Sequence, residues 1–149
     1  MAKMTNIVII NGPNLNMLGM RESQHYGQKT LADIEQACES RAAELGQSIS
    51  FFQSNHEGEL VTHIQQAVGR FDAILLNAGA YTHSSIALRD ALVLFQGIKI
   101  ELHLSNVYAR EEFRHKSMTA PVMNGVIAGL GSMTYEIALQ AVADLMTTK

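Results

Sequence analysis

The sequence predicts an α/β fold, a five-stranded parallel sheet covered by helices on both faces. Two observations carry this. Short apolar runs alternate with amphipathic segments along all 149 residues. Successive runs are separated by single helical segments, a connection that requires crossovers and hence parallel strands. The composition, 47% hydrophobic and 17% charged with 2 prolines, belongs to a chain that can bury a substantial core. No linker, repeat or low-complexity tract interrupts it, so residues 1–149 are expected to form one domain.

The first run, Ile7–Ile10, has the pattern of a buried strand, and Asn11-Gly12-Pro13 ends it. A helix is predicted from about Thr30, with Asp33 placed to help cap it and Gly46 to stop it. Leu31, Ile34, Cys38, Ala42 and Leu45 fall on its inner face. A strand near Ile49–Gln53 precedes a helix from Glu57 to Val68, with Leu60, Ile64 and Val68 inward. The third strand, Ala73–Leu76, leads to a helix near Ser84–Phe95. The fourth, Ile98–His103, leads to a charged turn, Arg110–His115. A fifth run, Gly125–Ala128, precedes a last helix around Thr134–Met146. For five such strands the flavodoxin-like order 2-1-3-4-5 is expected by analogy.

Ligands of such sheets bind beyond the carboxyl ends of the strands, near the switch between the first and third. The unusual polar residues gather there. Asn11, Asn14 and Asn16 follow the first strand, Asn77 and His83 the third, and His103, Ser105 and Asn106 the fourth. On the fourth strand Ile98, Ile100, Leu102 and Leu104 alternate with Lys99, Glu101 and His103. A central parallel strand is ordinarily apolar on both faces. Glu101 and His103 therefore read equally as a carboxylate orienting an imidazole, as a polar subunit interface, or as a satisfied structural pair. The aperiodic stretch Asn11–Gly27 reads as a long loop of the kind that often forms a lid, and it carries Arg21 and Tyr26. Taken alone, such loop residues are ordinary surface groups. Arg110 and Arg114 lie four apart, and by spacing alone salt bridges with Glu111 and Glu112 explain them.

Several functions lack a signal. A net charge of −3 with no basic block gives no electrostatic footprint for nucleic acid. The run Ile7–Ile10 is too short for a membrane span, and a cytoplasmic protein is expected. Cys38 is single and reads as a buried small hydrophobe. The six histidines form no zinc-type spacing, so neither metal nor cofactor is expected; His56 and His63 read as solvated residues around the second helix. There is no P-loop. Gly129-Leu-Gly131 hints at a dinucleotide loop, but Thr134 occupies the third glycine position and too little chain follows.

Together these segments resemble the type II dehydroquinases. The matching stretches are Asn11-Gly-Pro-Asn-Leu-Asn16, Leu18-Gly-Met-Arg-Glu22, Tyr26-Gly27, Gln53-Ser-Asn-His-Glu-Gly58 and Leu76-Asn-Ala-Gly79. They continue with Tyr81-Thr-His-Ser-Ser-Ile-Ala87, Asp90-Ala-Leu92, Glu101-Leu-His-Leu-Ser-Asn106 and Arg110-Glu-Glu-Phe-Arg114. Their ordered spacing covers about Asn11 to Glu136. Three positions depart from the family's frequent pattern: Ser23 and Ala78 stand where proline is common, and Thr134 where glycine is.

The resemblance implies a lyase of the shikimate pathway of aromatic amino-acid biosynthesis, removing water anti from 3-dehydroquinate to give 3-dehydroshikimate through an enolate. By the same resemblance Tyr26 is the base, Arg21 its activator and Arg114 a candidate second cation. His103 is the general acid, oriented by Glu101, and Asn14 steadies the enolate through a water. Asn77, Ser105 and the backbone at Leu104 hold the substrate carboxylate; His83 and Arg114 bind ring hydroxyls. Asp90 reaches the site of a neighbouring subunit, in a dodecamer built from trimers. The competing readings are a flavodoxin-like binding or regulatory module without catalysis, another lyase or hydrolase acting on a carboxylated sugar-like substrate, and a Schiff-base dehydratase. For the last, Lys99 is the lysine worth testing, because it shares a face with Glu101 and His103.

Overall fold

The computed structural model describes residues 3–20 and 29–148. Its strands are β1 (Thr5–Asn11), β2 (Gln47–Gln53), β3 (Ala73–Asn77), β4 (Ile98–His103) and β5 (Gly125–Ala128). Its helices are α1 (Leu31–Leu45), α2 (Glu57–Ala67), α3 (Ile86–Val93) and α4 (Met133–Thr147). The sheet runs β2-β1-β3-β4-β5, with every pairing parallel, which is the expected flavodoxin-like order.

The two-residue period of the strands divides the core in two. Ile7, Ile9, Leu75, Ile100 and Leu102 pack under α1 and α4. Val8, Ile10, Ile74 and Leu76 pack under α2 and α3. Each fully buried aliphatic side chain contributes roughly 1.5–3 kcal/mol relative to exposure. The expected alternation on β4 holds, since Ile98, Ile100, Leu102 and Leu104 all join the first cluster.

Helix α1 begins as its sequence indicates. The Thr30 hydroxyl accepts the Asp33 amide, and the Asp33 carboxylate accepts the Thr30 amide, a reciprocal cap. It ends at Gly46, whose φ of 69° is left-handed. Ile34, Cys38 and Ala42 are buried along it, and burial pushes the Cys38 thiol up to about 12.

Three details differ from expectation. On α2 the third inward residue is Ala67, because the helix closes there; Val68 has left helical geometry and is 46% exposed. Helix α3 is shorter than Ser84–Phe95. The Ser85 hydroxyl caps Leu88, and residues Gly79–His83 form a separate 3₁₀ turn. His63 is not simply solvated, since its ring stacks on Phe52 at 3.8 Å between centroids.

The loops leaving β1 and β3 approach each other closely through their backbones. The Gly12 amide donates to the Asn77 carbonyl at 2.7 Å. A Cβ on Gly12 would lie 2.5 Å from the Ala78 carbonyl oxygen, and one on Gly79 would lie 3.0 Å from that of Pro13. Only glycine permits the first of these approaches.

Candidate active site

In-register pairing sets Gln53, Asn11 and Asn77 side by side across β2, β1 and β3, at the carboxyl ends of the strands. The chain then turns through Asn14, which is left-handed with φ 70°, a conformation asparagine tolerates. The Asn14 amide donates to the Asn55 side chain at 2.9 Å, fixing this turn against the end of β2.

Between these turns and the segment after β4 lies a cavity of about 160 Å³. Seven of the residues implied by the resemblance line it: Asn14, Asn77, His83, His103, Leu104, Ser105 and Arg114. Glu101 stands behind His103. Asp90 does not line the cavity and is exposed on α3. Tyr26 and Arg21 lie outside the described residues, as does Ser23.

Glu101 and His103, only 2% and 7% exposed, form the centre of the site. The His103 Nε2–H donates to Glu101 Oε2 at 2.8 Å. This hydrogen bond leaves Nδ1 as the nitrogen not committed to the carboxylate. The other carboxylate oxygen accepts the hydroxyls of Ser117, at 3.0 Å, and Thr119. Burial raises the Glu101 pKa, but the hydrogen bonds from His103, Thr119 and Ser117 and the attraction to His103 outweigh it, leaving the net value below the usual range.

A carboxyl whose pKa falls on folding adds stability above its unfolded value and loses it as pH falls through its folded value. Glu101→Gln should therefore be less stable than the parent chain by roughly 1–3 kcal/mol at neutral pH, from lost charge-assisted hydrogen bonds. The gap should narrow once pH drops below the usual carboxyl value of 4.5. Urea unfolding at several pH values measures it; a gap independent of pH would contradict this account of Glu101.

His83 sits at the end of the 3₁₀ turn, its ring centroid 6.3 Å from that of His103. Its Nδ1–H donates to the Lys116 carbonyl at 2.8 Å, so the neutral ring keeps a lone pair on Nε2. Burial lowers its pKa, with His103 and Arg114 adding to the effect and the Lys116 carbonyl opposing it. A neutral imidazole of this tautomer accepts a hydroxyl proton.

The paired arginines serve two purposes at once. Arg114 donates to Glu111 at 2.8 Å, the salt bridge its spacing indicates, and still lines the cavity. Arg110 also lines it, with one guanidinium nitrogen 3.4 Å from the Ser105 hydroxyl, although the resemblance assigned it no role. Lys99 is elsewhere. It donates to the Leu92 carbonyl at 2.8 Å and does not line this cavity. Thr134, one of the departures, is buried with its hydroxyl 3.4 Å from the His103 carbonyl.

Sequence reasoning missed Ser117 and Thr119. The available signal was chemical: a carboxylate on an inner strand needs donors, and the connection after β4 carries two hydroxyls spaced by one residue.

The family model described as Dehydroquinase class II matches residues 5–143. The 3-dehydroquinate dehydratase of Prochlorococcus marinus (strain MIT 9211) is 51% identical over 144 residues, spanning 97% of both chains. The catabolic 3-dehydroquinase of Emericella nidulans is 52% identical over 138 residues, 93% of this chain and 90% of that one. The crystal structure of type II dehydroquinase from Propionibacterium acnes superposes with a TM-score of 0.91 at 40% identity, covering 96% of this chain and 99% of that one. With this agreement in sequence and backbone along nearly its whole length, the chain belongs to the class II dehydroquinase family.

Proposed function

We propose that this chain is a 3-dehydroquinate dehydratase of the shikimate pathway, working without metal or Schiff base. The observation that carries the reading is the buried Glu101–His103 pair, held at 2.8 Å with its imidazole on the wall of a cavity that also presents Asn77, Ser105 and Arg114. By the resemblance, Tyr26, as a phenolate favoured by Arg21, takes the proton α to the ketone. The electron pair moves to the carbonyl oxygen, and Asn14 steadies the resulting enolate through a water. The enolate then collapses and expels the hydroxyl β to the ketone, which receives a proton from His103 and leaves as water. Glu101 keeps the imidazole oriented and stabilises its charged form.

Asn77, Ser105 and the Leu104 backbone receive the substrate carboxylate, and His83 and Arg114 the ring hydroxyls. A flavodoxin-like binding module without catalysis is not favoured, because it gives the Glu101–His103 pair no work.

Residues 1–149 act as a single catalytic unit, assembled as trimers into a dodecamer and cytoplasmic. Two features support the assembly. Asp90 is exposed and does not line its own cavity, as expected of a residue lent to a neighbour. It shares a helical stripe with Ile86 and Leu94, both more than half exposed, an apolar surface suited to a subunit contact. Among the described residues no helix is long and apolar enough to cross a membrane.

Chelator-treated protein mixed with 3-dehydroquinate should produce a catalytic rise in ultraviolet absorbance from the conjugated enone. No rise from folded protein would overturn the assignment, and flavin absorbance in the purified protein would revive the binding module.

A further inference from the structure

We propose that Tyr135, buried behind the cavity and absent from its lining, is a positioning residue: it orients the Asn77 amide so that a hydrogen-bond donor faces the ligand's carboxylate. The inference rests on Asn77 as a carboxylate-binding residue and deepens that reading.

A phenolic hydroxyl has a single proton to give. Here that proton goes to Asn11 Oδ1. Toward Asn77 the hydroxyl oxygen therefore offers only lone pairs, and Asn77 Nδ2 donates to it at 2.9 Å. At the other end of the same amide, the Gly79 N–H donates to Asn77 Oδ1 at 3.2 Å. The two neighbours demand the same orientation. Turned over, the amide would set its NH₂ against the Gly79 N–H and its carbonyl against the tyrosine oxygen, replacing two hydrogen bonds with two repulsions.

Asn77 is only 4% exposed, yet it lines the cavity. Its Nδ2 carries two hydrogens, and Tyr135 engages one. The second remains for a ligand, and it suits an acceptor such as a carboxylate. Tyr135 is 0% exposed, and burial raises its pKa, so its hydroxyl keeps its proton, while the Gly79 N–H on Asn77 Oδ1 sets the direction in which that proton is given. The fold makes the bridge natural. Asn11 and Asn77 are register partners at adjacent strand ends, and the first turn of α4 packs beneath them.

The test compares calorimetric binding of quinate, a hydroxylated ring carboxylate, with that of its neutral amide, quinamide. The protein as it stands should prefer quinate, and in Tyr135→Phe the preference should fall about tenfold, the scale of one charge-assisted hydrogen bond. A fall of less than about threefold would overturn the inference and leave Tyr135 a packing residue. Absence of any preference in the parent protein would overturn it as well. If Tyr135→Phe does not fold, Asn11→Ala replaces it. That change leaves the ring in the core and removes the acceptor that draws the hydroxyl proton away from Asn77; because the Gly79 N–H still holds Asn77 Oδ1, a smaller fall, about threefold, is expected, and an unchanged preference would overturn the inference. Because the readout needs no turnover, an inactive parent protein that still prefers quinate would overturn the dehydratase reading alone.

Discussion

Tyr26→Phe should lower turnover of 3-dehydroquinate by about 10²–10⁴-fold, the usual worth of a positioned acid or base, with little change in KM. The substitution removes one oxygen and keeps the ring. An unperturbed phenol titrates near 10 and is almost wholly protonated at neutral pH. A guanidinium within a few ångströms favours the phenolate, which is the task given to Arg21. The measurement is steady-state kinetics with exchange of the α proton followed in parallel, and both rates should fall together because both begin with the same proton abstraction. A variant keeping more than about a tenth of the parental rate would remove Tyr26 from the base role.

His103→Ala should cost a similar factor, about 10²–10⁴-fold in product formation, but with a different signature. Loss of the acid leaves the base in place, so the enolate still forms and returns. Exchange of the α proton with solvent should therefore survive better than loss of the hydroxyl. The geometry motivates this separation: Glu101 engages Nε2 at 2.8 Å, leaving Nδ1 for the departing oxygen. Equal loss of exchange and dehydration would argue that His103 organises the cavity instead of donating a proton.

Much of the fold was legible because local chemistry and long-range packing agree. The alternation on β4 survives, since each of its aliphatic positions meets one helical layer. The start of α1 was legible because Thr30 and Asp33 satisfy each other's amides. Helix α3 was read too long because the apolar Leu94 and Phe95 continue past its end, while the Ser85 cap that sets its start depends on a hydroxyl turning back onto Leu88. Val68 kept the helical spacing but lies just past the end of α2, a limit periodicity does not mark.

The site shows the same division. Asn14, His83, His103, Ser105 and Arg114 converge because strand order brings their loops together, and that order could be anticipated. Ser117, Thr119 and Tyr135 could not be found in the same way. The two hydroxyls lie in an irregular connection, 16 and 18 residues from the carboxylate they hold. Tyr135 sits in an apolar helix and shows its purpose only against Asn11, 124 residues away. Such partners are specified by unsatisfied polar atoms in three dimensions, which no period encodes.

The seam between Gly12 and Ala78 also sets terms for inhibitor chemistry. Main chain meets main chain there, with a glycine Cβ excluded at 2.5 Å, so the seam, next to Pro13 and Gly79 on the cavity wall, has no rotamers with which to yield. A substituent grown from a bound ring toward Pro13 and Gly79 would have to displace backbone. One grown toward Arg110 and Arg114 meets long side chains held to other side chains, Ser105 and Glu111, so affinity gains should come from that wall.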